Sequence, residues 1–213
     1  RFQVNRRNNN ESELIRQTQL NGPNDDAVPV IKVADNAGNI LAVVFGYACH
    51  NTVLSGYKWS GDYAGFAQSD LEKEYPGATA LFFQGAGGDQ NPLPRGTVQL
   101  AQQYGQTLAA AVESVMNGEM RELPSHISTA YKEVDLSLTN PPGKQELSKA
   151  INESTENYQK RWAANLLDKL ERGDSLRTSY PYPMEVWRLG DQTILILGGE
   201  VVVDYAIKLK QIF

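Results

Sequence analysis

The fold is decided by the run Ile40-Leu41-Ala42-Val43-Val44-Phe45-Gly46-Tyr47-Ala48-Cys49, which ends at His50. A continuous apolar run bounded by turn residues predicts a buried β-strand. Val28–Ala34 before it is β-branched and apolar, and Asp35-Asn36-Ala37-Gly38 between the two runs is a turn sequence. The two runs therefore predict a β-hairpin, with His50 at the end of its second strand.

The residues that follow His50 alternate between polar loops and apolar elements. A loop rich in Gly, Ser and Thr is predicted over Asn51–Gly61, and apolar residues at helical spacing predict a helix over Asp62–Tyr75. Further along, the pattern predicts a strand at Thr79–Phe83, a glycine- and proline-rich loop at Gly85–Gly96, and a helix at Val98–Met116 with Thr97 as its cap.

The last part of the chain continues this mixed order. We expect a strand at Ile127–Leu138, one polar helix over Gln145–Glu171, a hairpin of Tyr182–Leu189 with Thr193–Leu197 around Gly190-Asp191, and a final helix opened by Gly198-Gly199-Glu200. The polar segment Arg1–Asp26 predicts a long loop or an extended N-terminal segment. Strands and helices in this order predict a single layered domain of the α/β class, or of the mixed α+β class.

Composition and charge exclude several classes of function. Hydrophobic residues make up 41% and charged residues 21% of the chain, which is enough to build a globular core. The net charge of −5 and the pI of about 5.1 disfavour nucleic acid and anionic membrane surfaces as partners. No apolar run approaches the roughly 18 residues of a transmembrane segment. The single cysteine, Cys49, excludes an intrachain disulfide, and the start at Arg1 indicates a processed or excerpted chain.

His50, taken alone, has a structural and a functional interpretation. The end of a strand can hold a side chain rigidly at a cleft, where a neutral imidazole binds a metal or acts as a base. The structural alternative, which this residue alone favours, is a hydrogen-bonded histidine that caps the strand. Cys49 points to the opposite face of the strand and is expected in the core. His126, the only other histidine, is predicted in a surface loop, so a three-histidine zinc site is excluded.

Two further segments place polar groups beside apolar elements. Gly85-Ala86-Gly87-Gly88-Asp89-Gln90-Asn91-Pro92 follows a strand, and its glycines either offer backbone N–H groups to an oxyanion or form a tight turn. This segment is neither a Walker loop nor a nucleophile elbow. Glu200 opens the last predicted helix, where a carboxylate is either a partner of the helix dipole or a metal ligand.

Four segments of the chain, taken in order, match the motifs of one enzyme family. Tyr47-Ala48-Cys49-His50-Asn51-Thr52 and the following Ser60-Gly61-Asp62-Tyr63-Ala64-Gly65-Phe66-Ala67 are the most specific part. The others are Val4-Asn5-Arg6-Arg7, Gly88-Asp89-Gln90-Asn91-Pro92 and Leu197-Gly198-Gly199-Glu200. Together they resemble the N-terminal catalytic domain of neutral/alkaline, non-lysosomal ceramidases. The resemblance covers most of Val4–Asp89 and then Glu185–Ala206.

The resemblance implies an activity and a set of site residues. Members of this family hydrolyse the amide bond of ceramide to sphingosine and a fatty acid, with zinc held by two histidines, a glutamate and a tyrosine. By position, His50 and Glu200 are implied as zinc ligands, and Arg6 as a neighbour of the reacting group. Asp89 belongs to the nucleophile motif, and Asn91 stands where the family has its serine. The chain would be part of a secreted or periplasmic catalytic domain, and the other two ligands are expected outside residues 1–213.

These observations leave three hypotheses. The first is a zinc-dependent amide hydrolase related to ceramidases, acting on a small-molecule or lipid amide. The second is a catalytically inactive relative that binds a lipid or a glycan, and Asn91 favours it because an amide side chain cannot be deprotonated to a nucleophile. Asn91 could still donate a hydrogen bond to a substrate carbonyl. The third and weakest is a serine hydrolase that pairs Ser55 or Ser60 with His50 and Asp62.

Overall fold

The structure, a computed structural model, describes residues 1–6 and 22–213. Contacts divide it into two compact units, one made of Arg1–Glu122 with Gly199–Phe213 and the other of Leu123–Gly198. Most of the predicted N-terminal loop Arg1–Asp26, and the motif residue Arg7, lie outside the described residues. That the whole chain is one partial catalytic domain stays a prediction.

The first unit is built around a three-stranded sheet. Strands β2 (Val30–Ala34) and β3 (Ile40–Tyr47) are paired antiparallel, which confirms the predicted hairpin. Strand β3 then pairs in parallel with β4 (Thr79–Gln84), and helix α1 (Asp62–Glu74) crosses between them. Such a crossover is required because a parallel pair cannot be joined by a tight turn.

A two-stranded ribbon and a second helix complete this part of the chain. The ribbon pairs β1 (Gln3–Asn5) antiparallel with β5 (Gln90–Pro92), so it joins the N-terminus to the segment after β4. Helix α2 (Val98–Met116) begins at the predicted cap, where Thr97 Oγ1 accepts a hydrogen bond from the Leu100 N–H at 3.2 Å.

The core of the first unit is formed by side chains from β3, β4, α1 and α2. Its most buried large members include Phe45, Tyr63, Leu71, Leu108 and Val112. The two helices approach closely at Gly105, because a Cβ there would lie 2.9 Å from the Tyr63 carbonyl oxygen. Phe2 stacks on Tyr104 with ring centroids 4.4 Å apart, so the N-terminal residues are packed into the same core.

The second unit contains an antiparallel sheet and a pair of helices. Its strands are β6 (Ile127–Ser137), β7 (Ser179–Leu189) and β8 (Gln192–Leu197), in that spatial order. Between β6 and β7 lie helices α3 (Lys144–Glu153) and α4 (Asn157–Glu171). The predicted hairpin of β7 and β8 is confirmed, and Gly190 in its turn has a φ of 62°, which favours glycine.

Two helix predictions are wrong in their bounds. The segment predicted as one helix over Gln145–Glu171 is broken into α3 and α4, because Ser154 has an extended backbone with ψ of 139° and its Oγ accepts a hydrogen bond from the Glu156 N–H at 3.1 Å. The final helix, α5 (Val203–Ile212), begins after Glu200. Residues 200–202 are instead held outside the helix, where the Val201 carbonyl accepts from the Gly88 N–H at 2.8 Å.

The class of the fold is confirmed as mixed α/β. The described residues form three small sheets and five helices, in the arrangement of an α+β domain. Within residues 1–6 and 22–213, no helix is both long and apolar enough to cross a membrane.

Cys49 provides a test of the core of the first unit. Its side chain is fully buried, and burial raises the pKa of the thiol far above its usual range. Because the thiolate is the reactive form, we expect iodoacetamide to label the folded protein very slowly at mildly alkaline pH and rapidly in concentrated urea. Mass spectrometry of the single labelled product measures both rates, and fast labelling of the folded protein would contradict this packing.

Candidate active site

The predicted site residues gather at the carboxyl ends of the two parallel strands. Residues 48–50 follow β3 and residues 85–89 follow β4, so both loops leave the same edge of the sheet. Two backbone hydrogen bonds join them, from Gly85 N–H to Tyr47 O at 3.0 Å and from His50 N–H to Gln90 O at 3.0 Å. Ligands in sheets with parallel strands commonly bind at this edge.

His50 is held in one orientation by its own backbone neighbours. Its Nδ1 lies 2.8 Å from the carbonyl oxygen of Gln90, which can only accept, so Nδ1 carries the proton and donates. In the neutral ring Nε2 is then an acceptor, and it lies 3.5 Å from Glu200 Oε1. A backbone carbonyl on one ring nitrogen, with the other nitrogen available, is the arrangement typical of metal-binding histidines.

The Glu200 carboxylate lies between His50 and Arg6. Its Oε2 is 3.6 Å from Arg6 Nη2, which also donates to the Gly88 carbonyl at 2.9 Å. The side chains of Glu200 and Arg6 are 71% and 44% exposed, whereas that of His50 is only 19% exposed. The structure therefore brings the implied zinc ligands and the implied neighbour of the reacting group together at an accessible surface.

The glycines after β4 allow backbones to approach closely. A Cβ on Gly87 would lie 2.7 Å from the Cys49 nitrogen, and a Cβ on Gly88 would collide with the Glu200 carbonyl. The N–H groups of Gly87 and Gly88 donate to the carbonyls of Gly85 and Val201 at 2.7 and 2.8 Å. These N–H groups are thus engaged within the protein, and the tight-turn interpretation fits better than the oxyanion interpretation.

Asp89 and Asn91 are buried, in contrast to the exposed side chains of Arg6 and Glu200. Asp89 is 2% exposed, and its carboxylate accepts hydrogen bonds from Asn5 Nδ2 at 3.0 Å and the Val203 N–H at 2.9 Å. Asn91 is 4% exposed and stands opposite Val4 in the β1–β5 ribbon. Their predicted catalytic roles stay predictions, but neither side chain is presented at the surface as those of Arg6 and Glu200 are.

The serine hydrolase hypothesis finds no support in these contacts. The Asp62 carboxylate accepts from the backbone N–H groups of Val53, Leu54 and Tyr63 at 3.2, 2.8 and 2.8 Å. Ser60 Oγ accepts from the Asp62 N–H at 3.0 Å, while the His50 ring nitrogens face the Gln90 carbonyl and the Glu200 carboxylate instead of Asp62. Asp62 therefore fixes the loop after His50.

The potential metal ligands form a pair. In the part of the chain that the structure describes, no three or more His, Cys, Asp and Glu side chains come close enough to hold a metal ion. His126 is exposed in the loop before β6, as predicted, in the second unit. Among the predicted site residues, His50 and Glu200 lie close enough together to contribute to one metal site.

Comparison with known proteins gives matches of structure alone. No protein-family model and no curated protein matches the sequence. The crystal structure of neutral ceramidase from Pseudomonas aeruginosa matches with a TM-score of 0.55 at 16% identity, over 91% of this chain and 38% of that one. A ceramidase complexed with C2 matches with a TM-score of 0.56 at 15% identity, over 91% and 40%.

The chain has a ceramidase-like fold. At this level of identity the likeness shows the fold, and function has to be argued from the site. The chain spans about two-fifths of the length of these structures.

Three residues that shape the candidate site have no role in the sequence-based prediction. Gln90 supplies the carbonyl that orients His50, Asn5 donates to Asp89, and Val203 contributes only its backbone N–H. Backbone groups leave no signal in a sequence, so Gln90 and Val203 could not have been found. Asn5 stands beside Arg6 in the motif Val4-Asn5-Arg6-Arg7, and that position is the signal in the sequence.

Proposed function

We propose that this chain forms part of a zinc-dependent hydrolase that cleaves a linear amide, with His50 and Glu200 as two of the metal ligands. One observation carries the proposal: His50 Nε2 faces the Glu200 carboxylate at 3.5 Å while Nδ1 is engaged by a backbone carbonyl. The ceramidase-like fold supports it and suggests the amide of an N-acyl sphingosine as the substrate class.

The spacing of the two side chains fits a shared zinc ion. Zinc binds imidazole nitrogen and carboxylate oxygen at about 2.0–2.2 Å in tetrahedral sites, which keeps two donor atoms about 3.4 Å apart. The observed distance from Nε2 to Oε1 is 3.5 Å, which is long for a direct hydrogen bond and close to this value. The oxygen and nitrogen donors are also of the types that zinc prefers.

In the proposed site, the metal and the side chains of this chain have different roles. Bound zinc would act as a Lewis acid, lowering the pKa of a water molecule or polarising the substrate carbonyl. Arg6, partly exposed beside Glu200, would donate hydrogen bonds to the oxygen that gains negative charge during attack. Asn91 cannot form an acyl-enzyme, so the nucleophile in this proposal is water.

The second candidate is a catalytically inactive relative that binds a lipid or a glycan. The observation that favours it is Asn91, an amide side chain that is 4% exposed at the position of the family's serine. The hydrolase and the binding protein would share the same fold, so an assay of substrate hydrolysis is needed to distinguish them. A secreted or periplasmic location is likewise proposed on the resemblance alone.

Zinc content and amide hydrolysis test the proposal. The test uses the full-length protein, because two of the four proposed ligands are expected outside residues 1–213. We expect it to bind one zinc ion per chain and to release fatty acid from N-acyl sphingosine. Replacing His50 by alanine removes the best-oriented nitrogen and should abolish both, whereas His126→Ala, in an exposed loop of the second unit, should change neither.

Each outcome of that experiment decides between the candidates. A well-folded full-length protein without zinc and without turnover excludes the hydrolase and leaves the binding protein. Turnover with a covalent acyl adduct on any side chain would instead rule out water as the nucleophile.

A further inference from the structure

The buried carboxylate of Asp89 joins segments that are far apart in the sequence. Its Oδ2 accepts from Asn5 Nδ2, 84 residues away, and its Oδ1 accepts from the Val203 N–H, 114 residues away. Gln90 Nε2 lies 3.2 Å from the same Oδ1. Because Asp89 is almost fully buried, these donors offset the loss of hydration of a carboxylate. Loss of any of these donors should therefore weaken the link between the three segments.

Val203 is the first residue of α5, and its N–H has no partner inside the helix. The residue before it, Val202, has no side chain that can cap a helix, and no side-chain cap is formed there. Asp89 supplies the missing cap from a remote segment. Its negative charge also suits the positive end of the helix dipole.

Glu200 depends on this anchoring because its own side-chain contacts are weak. Its carboxylate is mostly exposed, with Arg6 and His50 at 3.6 and 3.5 Å, and exposed pairs of this kind contribute little. The backbone that follows it, by contrast, is fixed by the bond from Gly88 N–H to Val201 O at 2.8 Å and by the bond from Val203 N–H to Asp89 Oδ1 at 2.9 Å. The position of Glu200 is thus set mainly through the backbone of its neighbours Val201 and Val203.

We propose that Asp89 is a positioning residue that holds the Glu200 carboxylate beside His50 by anchoring the start of α5. This deepens the proposed function and rests on it for the identity of the metal. Asn5 shares the role, because its Nδ2 donates both to Asp89 and to the Pro23 carbonyl at 2.9 Å. The residue next to it is Arg6, whose N–H donates to the Asp89 carbonyl at 2.8 Å. One carboxyl-bearing residue therefore fixes both Arg6 and Glu200.

The variant Asp89→Asn tests the proposal. Asparagine has nearly the same size, but its NH2 group must face a donor. In place of Oδ2 it meets Asn5 Nδ2, and in place of Oδ1 it meets the Val203 N–H and Gln90 Nε2, so at least one bond of the anchor is lost. We expect zinc affinity, measured by competition with a chromophoric chelator, to fall about ten- to a hundred-fold, as for other residues that orient metal ligands. Thr97→Ala is the matched control, since it removes the cap of α2 and should lower stability with no change in zinc affinity.

A second variant separates positioning from helix capping. Adding Val202→Ser to Asp89→Asn gives α5 a local cap. We expect the melting temperature to recover while zinc affinity stays low, because the new cap does not restore the link to Asn5 and the Gly88–Gln90 segment. Recovery of both quantities would show that Asp89 acts only as a helix cap and would overturn the proposal.

A metal-free measurement keeps this inference distinct from the proposed function. In the unsubstituted protein, Glu200→Gln should shift the NMR resonances of the His50 ring, because the two side chains are 3.5 Å apart. In the Asp89→Asn background the same shift should be much smaller. If it is equal in both backgrounds, the positioning role is wrong. If the protein binds no zinc but the shift depends on Asp89, the proposed function fails and the positioning role stands.

Discussion

Replacing Asp62 by alanine is expected to lower the free energy of unfolding by about 3–5 kcal/mol. The carboxylate is buried and accepts from three backbone N–H groups, those of Val53, Leu54 and Tyr63. The variant leaves these donors without acceptors at a position that is only 5% exposed. Asp62 also has a φ of 52°, a left-handed conformation that alanine adopts at a cost. Urea unfolding followed by circular dichroism measures the change.

Two controls show which part of this effect comes from burial. Asp62→Asn keeps one side-chain oxygen and tolerates the left-handed backbone, so it should lose clearly less stability than the alanine variant. Asp35 also accepts three hydrogen bonds, from Ala37 N and from the backbone and side chain of Asn39, but it is exposed. Asp35→Ala should therefore have a much smaller effect, and equal losses at the two aspartates would refute the explanation.

Replacing Gly88 by alanine is expected to disrupt the candidate site and to destabilise the protein by about 1–3 kcal/mol. The added Cβ would collide with the Glu200 carbonyl and lie 3.0 Å from the Val201 oxygen, and backbone atoms cannot move aside as a flexible side chain can. Residues 200–201 must shift, so the Glu200 carboxylate should leave its place beside His50. Zinc affinity and the melting temperature, measured on the same sample, should both fall.

Gly65→Ala is the matched control for this substitution. Gly65 lies inside α1, and a Cβ there meets nothing within 4 Å. Alanine should therefore stabilise the helix by about 0.5–1 kcal/mol without any change in zinc affinity. An unchanged zinc affinity in Gly88→Ala would contradict the proposed position of Glu200.

The parts of the fold that the sequence analysis predicted correctly are those specified by local pattern. The hairpin of β2 and β3 follows from two apolar runs around a turn, and Gly38 in that turn has a φ of 87°. Helix α2 follows from its apolar period and the Thr97 cap. In both cases the residues that determine the element lie within the element or next to it.

The parts that were missed depend on distant partners. The β1–β5 ribbon is only three residues long on each side and pairs Asn5 with Gln90, so no periodicity indicates it. The late start of α5 depends on Gly88 and Asp89, far earlier in the chain. The break at Ser154 is local, but a serine in a polar helical segment is too common to predict a break by itself.

In the candidate site, too, the features set by local sequence could be predicted and those set by distant residues could not. His50 could be placed at a strand end from its own neighbourhood, yet from that alone the structural interpretation was favoured. Its proximity to Glu200 and Arg6 could be expected only from the family resemblance, since these residues are far apart in the sequence. The buried positions of Asp89 and Asn91 were not predicted, because both belong to a glycine-rich segment that looks like an exposed loop.

The interruption of the first unit by residues 123–198 has a consequence for folding kinetics and for evolution. The hydrogen bond between Asp89 and Val203 joins two parts of the first unit that residues 123–198 separate in the sequence. Contacts between residues so far apart in sequence slow folding. Yet the entropy of closing a loop rises slowly, by about 0.6 kcal/mol for each doubling of its length. Insertions or deletions within residues 123–198 would therefore change the folding barrier little. The sequence of this segment can diverge while Glu200 keeps its contacts with Arg6 and His50.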